Sequence, residues 1–186
     1  MRSEGARRGL SLVAALVVAA GLITQLVATA GLAHGFFDTP TKRVLNVFCF
    51  FTILSNLLFG ATSAVLAADP ERRTPVFSGL RLSGVISMVV TGVVFHIALR
   101  GLHDLQGTAA VADALLHTVS PILAVVSWVV VGPRGAVSRQ VIALTLVYPV
   151  LWLAATLVRG AVVSFYPYPF LDAMTHGYLR VMVNCV

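Results

Sequence analysis

The chain has 186 residues, of which 58% are hydrophobic and only 11% charged, with a mean hydropathy of +0.93. That balance excludes an ordinary soluble domain and marks an integral membrane protein. The net charge of +6 would suggest nucleic acid in a soluble protein, but here the basic residues fall between apolar runs, where they set orientation, and no nucleic-acid partner is expected.

A hydrocarbon core of about 30 Å takes roughly 20 residues of helix, and the runs 9–30, 44–67, 80–99, 112–131 and 141–158 are close to that length. A last segment, 175–186, supplies only about 18 Å of helix and is expected as a partial span. The expected fold is all-α, a single transmembrane domain with five full spans and a short sixth. The first run follows Arg2, Arg7 and Arg8 as a signal peptide would, but it exceeds the roughly 7–15 residues of an apolar signal core and reads as a retained span. Breakers punctuate the connections at Asp38-Thr39-Pro40, Asp69-Pro70, Gly107-Thr108 and Gly132-Pro133, and short connections make successive helices antiparallel neighbours.

With the N-terminus in the cytoplasm, the inner side carries Arg2, Arg7, Arg8, Arg72, Arg73, Arg81, Arg134 and Arg139, and the outer side Lys42, Arg43, Arg100 and Arg159. The excess of basic residues inside favours that orientation, and the plasma membrane is the expected location. Cys49 and Cys185 form neither a disulfide framework nor a zinc spacing. No metal or other cofactor is expected.

Polar residues recur at helical spacing within the spans. The second carries Cys49, Thr52, Asn56, Gly60 and Ser63; the fourth Asp113, His117, Ser120, Ala124 and Ser127; the fifth Thr145, Tyr148, Trp152, Thr156 and Arg159. Such stripes face protein or water rather than lipid. Helix packing accounts for Ser55, Ser63, Ser83, Ser87, Thr91 and Ser127, and for Thr52 taken alone. His117 is different, because an ionisable ring inside a span is a functional-site hypothesis by default.

Helix rise places Thr52 about 12 Å below the start of its span and His117 about 8 Å below the start of the next inward one, so both fall in the outer leaflet. A neutral imidazole beside a hydroxyl is the minimal nucleophile-and-base arrangement for acyl transfer. Around the pair, Asp113 either orients His117 or caps a helix by its dipole. Asn56 either donates to an oxyanion or bonds between helices. Ser120 is a further supporting residue, and Pro121 opens or kinks the helix. Tyr166, Tyr168 and Asp172 form an interfacial belt or a lid. His34 and His103 read as solvated, while His96 with His117 raises axial haem ligation as an alternative.

The segments Phe50-Phe51-Thr52-Ile53-Leu54-Ser55-Asn56 and Leu115-Leu116-His117-Thr118-Val119-Ser120-Pro121, then Arg159-Gly160 and Tyr166-Pro167-Tyr168-Pro169-Phe170-Leu171-Asp172, match in order and spacing. Together they resemble the androgen-induced-gene and androgen-dependent TFPI-regulating protein family of multi-span membrane hydrolases, its bacterial relatives in particular. The resemblance implies a helical bundle that hydrolyses fatty acid esters of hydroxy fatty acids, with an intramembrane threonine as nucleophile and a histidine on another helix as its partner. By position these roles fall on Thr52 and His117. The alternative class is a non-enzymatic bundle that binds or transports a small amphiphile.

Overall fold

A computed structural model describes residues 4–102, 104–132 and 137–185. Arg2, His103 and Arg134 lie outside the described residues. No strand occurs among those residues, and five helices are long and apolar enough to cross a membrane: Glu4–Ala30, Phe51–Ala68, Pro75–Leu99, Gly107–Val131 and Arg139–Val163. The chain is a multi-pass all-α membrane protein.

The first span is α1 (Glu4–Ala30). The second apolar run is not one helix, as its composition suggests, but two: α2 (Pro40–Val47) and α3 (Phe51–Ala68). Thr39 caps α2 by accepting from the Lys42 N–H at 3.2 Å, and Pro40 in the first turn loses no bond there. At its far end the N–H groups of Phe48, Cys49 and Phe50 each reach back three residues, to Leu45, Asn46 and Val47. Phe50 then turns extended (φ −76°, ψ 133°). Thr52 therefore lies in the first turn of α3, not about two turns into a span.

α4 (Pro75–Val94) starts on a Thr74 cap and continues through a π-turn at Phe95–Leu99. α5 (Gly107–Ala114) runs through a second π-turn, Leu115–Val119, into α6 (Ser120–Val131). α7 (Arg139–Val163) contains Pro149.

Contacts group the chain into two compact units, Met1–Thr145 and Leu146–Val186, with the boundary inside α7. In the first unit α1 packs on α3, α5 and α6, α3 packs on α4, and α4 packs on α6, closing a ring of four spans. Ala14, Val18, Phe59, Val85, Met88 and Ala124 fill its middle, and Val47, Ile53 and Leu116 form a second cluster beside it. Lipid tails are as apolar as these side chains, so close packing and internal hydrogen bonds, not exclusion of water, hold the helices together.

Gly84 shows how close that packing is. A Cβ there would stand 3.2 Å from Phe59 Cα and 3.3 Å from Phe59 N, backbone atoms that have no rotamer to change. Gly84→Ala is expected to destabilise the bundle by about 1 kcal/mol, at the lower end for overpacking. The check is a lower melting temperature in detergent; an unchanged one would mean that α3 and α4 are not in this contact.

The second unit holds the rest of α7, a 3-10 turn at Pro169–Leu171, and two short helices, α8 (Ala173–His176) and α9 (Tyr178–Asn184). These two replace the single partial span expected from residue 175. Gly177, at φ 74°, separates them in a conformation that L side chains rarely adopt. Tyr168, only 8% exposed, stacks on Phe170 with centroids 5.4 Å apart and planes 9° apart, and leans on Trp152 at 6.1 Å. Gly160 leaves room for the ring of Tyr166.

Asp172 is the N-cap of α8, accepting from the N–H groups of Met174 (2.9 Å) and Thr175 (3.2 Å) and from the Thr175 hydroxyl (2.7 Å). That hydroxyl bond holds its carboxyl below the ordinary value of 3.8. A depressed folded pKa means that the cap stabilises α8 above the unfolded value and loses its effect as pH falls through the folded one. Asp172→Ala is expected to weaken α8 by about 1 kcal/mol, seen as faster hydrogen exchange at the Met174 and Thr175 amides.

Candidate active site

The site begins with a missing proton donor. Pro121 has no N–H, and the Ser120 N–H bonds to Leu115 O in the π-turn. The carbonyl of Leu116 is thus left without its donor one turn on, whether four or five residues ahead. Asn56 supplies one from another helix, its Nδ2 donating to Leu116 O at 3.2 Å and to Thr52 O at 2.9 Å. One buried amide therefore ties the first turn of α3 to the π-turn.

That tie brings together the two residues that the sequence singles out. Thr52 Oγ1 lies 3.3 Å from His117 Nε2. Thr52 is 6% exposed, and the side chain of His117 is 19% exposed. On the other side of the ring, Asp113 Oδ1 is 2.9 Å from Nδ1. The carboxylate lies off the line of the ring N–H, so Nδ1 has a close charge beside it but no aligned hydrogen bond. In the tautomer that carries its proton on Nδ1, beside the carboxylate, Nε2 faces Thr52 as an acceptor.

The face of the imidazole is covered by Phe95, stacked at 4.1 Å with planes 15° apart. α4 comes near enough because residue 92 is glycine: a Cβ there would be 3.0 Å from Pro121 Cβ. His96, next to Phe95, has both ring nitrogens engaged, Nδ1 with Gly92 O at 2.8 Å and Nε2 with the Thr118 hydroxyl at 3.4 Å.

The geometry bears on three of these readings. Both amide hydrogens of Asn56 are committed to carbonyls, which fits the interhelical bond of its two readings. α5 begins at Gly107, which puts Asp113 beyond the first turn where a helix dipole acts, and its position beside Nδ1 favours orientation over capping. The Ser120 hydroxyl is fully buried without a hydrogen-bond partner and gives the pair no bond. Sequence reasoning missed Phe95 and Gly92 altogether, since an aromatic and a glycine in an apolar span carry no polar signal. Tyr166, Tyr168 and Asp172 belong to the second unit, with the packing and capping contacts given above.

Fold and site together define a multi-pass helical membrane protein with a hydroxyl–imidazole–carboxylate set held between its helices. No protein-family model, curated protein or solved structure matches the chain. Among the described residues, no group of three or more His, Cys, Asp or Glu side chains is placed to hold a metal ion.

Proposed function

We propose that the chain is an intramembrane lipid-ester hydrolase, of the kind that cleaves fatty acid esters of hydroxy fatty acids, with Thr52 as nucleophile and His117 as base. The observation that carries the reading is the 3.3 Å approach of Thr52 Oγ1 to His117 Nε2 between separate helices. The resemblance of the surrounding segments to the membrane threonine hydrolases points the same way. The commitment of both His96 nitrogens to Gly92 and Thr118 favours this reading over axial haem ligation.

In the proposed reaction Thr52 Oγ1 bonds to the ester carbonyl carbon and its proton passes to His117 Nε2. The oxyanion forms at the N-terminus of α3, an 18-residue helix, the end at which a helix favours negative charge. When the ester C–O bond breaks, the departing alcohol takes the proton from Nε2, leaving an acyl-threonine. Water then adds to the acyl carbon and gives its proton to Nε2, and the fatty acid leaves as the Thr52 hydroxyl recovers that proton. Asp113 steadies the imidazolium formed in each half, and Phe95 presents its ring face to the same cation.

The proposed setting is the plasma membrane, with the N-terminus in the cytoplasm. Arg7 and Arg8 on α1 bond to Pro70, Ala67 and Ala68 carbonyls at the end of α3, which gathers much of the basic charge at one end of the bundle, as the positive-inside rule requires. A fluorophosphonate probe tests the activated hydroxyl: it is expected to label the wild-type protein and to leave Thr52→Ala unlabelled. Folded wild-type protein that stays unlabelled would place the binding bundle ahead of the hydrolase.

A further inference from the structure

At the end of α3 remote from Thr52, about 24 Å away along the helix axis, Arg7, Arg72, Arg73 and Arg81 line one cleft. Arg81 is the unusual member. It is 8% exposed, as is Arg43, but the two are treated differently by the fold. Arg43 donates to the carbonyls of Leu32, Phe37 and Asp38, whereas among the described residues the guanidinium of Arg81 has neither a hydrogen bond nor an ion pair. Its guanidinium lies over the Trp128 ring, 5.6 Å from the centroid.

A guanidinium on a side chain with so little exposure and no anion is costly, and the neighbouring charges make it more so. The carboxylate of Glu71 is taken by Arg7 and, at 3.0 Å, by Arg73, and that of Asp69 accepts from the Glu71 N–H at 3.2 Å, so two negative charges stand against four positive ones. The cleft also abuts Phe77 and Ser78 in the first turn of α4, where a 20-residue helix turns its positive end outward. A group with several acceptor oxygens and more than one negative charge answers both the charge excess and the empty donors of Arg81, and planar guanidinium forks match phosphate oxygens in particular.

We propose that this cleft binds a phosphate group, with Arg81 as the buried anchor and Arg72 and Arg73 at the rim. The end of a membrane bundle is where lipid headgroups lie, so an anionic phospholipid supplies that group most directly; soluble phosphate has the same chemistry. The site is independent of the Thr52–His117 reading and would stand without it.

The test follows the melting temperature of the purified full chain in detergent, titrated separately with phosphatidic acid, phosphatidylcholine and inorganic phosphate. Phosphatidic acid is expected to raise it where phosphatidylcholine does not. The half-saturating concentration should rise roughly tenfold or more in Arg81→Gln, as loss of a charged hydrogen bond predicts. Arg72→Gln, at an exposed position that leaves the fold intact, is expected to weaken binding in the same direction, and Arg100→Gln at the other end to leave it unchanged. Stabilisation by inorganic phosphate as well would identify the phosphate itself as the ligand, and stabilisation by phosphatidic acid alone the lipid headgroup. No response to either, or an equal response in wild type, Arg72→Gln and Arg81→Gln, overturns the proposal.

Discussion

Thr52→Ala and His117→Ala are each expected to lower fatty-ester turnover by at least about 10²–10⁴-fold, the range for loss of a positioned acid or base. The two losses should not add. A nucleophile without its base and a base without its nucleophile fail at the same step, so the double variant should be no slower than the worse single one. Thr52→Ser keeps a hydroxyl 3.3 Å from Nε2 and is expected to retain part of the rate. Both alanine variants should still insert and fold, since the Asn56 bonds that join α3 to the π-turn involve the backbone carbonyls of Thr52 and Leu116, not the two replaced side chains. Turnover unchanged in both would sink the mechanism, and additive losses would mean that the residues act separately.

The sequence shows the spans because length and apolarity are all that a bilayer asks of a helix. It shows Thr52 and His117 because a polar side chain is conspicuous there. It does not show the break at Phe48–Phe50, where no glycine or proline interrupts an apolar aromatic run and the turn is made by backbone bonds alone. The two readings left open for Asn56 have a related cause. Pro121 announces in the sequence that a carbonyl one turn back will lack a donor, but an α ladder would orphan His117 O and a π ladder orphans Leu116 O. Only the observed Ser120-to-Leu115 bond decides between them. With that known, Asn56 is no spare amide facing a substrate, because both its hydrogens already have destinations. Phe95 and Gly92 were invisible for a simpler reason: their roles, covering a ring and letting a helix approach, are made by shape and leave no polar trace.

If Pro121 creates the need that Asn56 meets, the two substitutions must be coupled. Asn56→Leu keeps the branched heavy-atom skeleton but leaves Leu116 O buried without a donor, and it is expected to cost up to about 3 kcal/mol, the penalty for a buried unsatisfied group. In a Pro121→Ala background residue 121 regains an N–H, which reaches back to the carbonyls of the preceding turn. Asn56→Leu should then cost less, with a coupling of about 0.5–3 kcal/mol in a double-mutant cycle of detergent unfolding. The same cycle has a catalytic readout. The tie through Asn56 sets the first turn of α3 against the π-turn, so loosening it should lower turnover even where the fold survives, since small misplacements of reacting groups are costly. Equal destabilisation by Asn56→Leu in both backgrounds would show that the amide serves packing alone and that the π-turn does not depend on it.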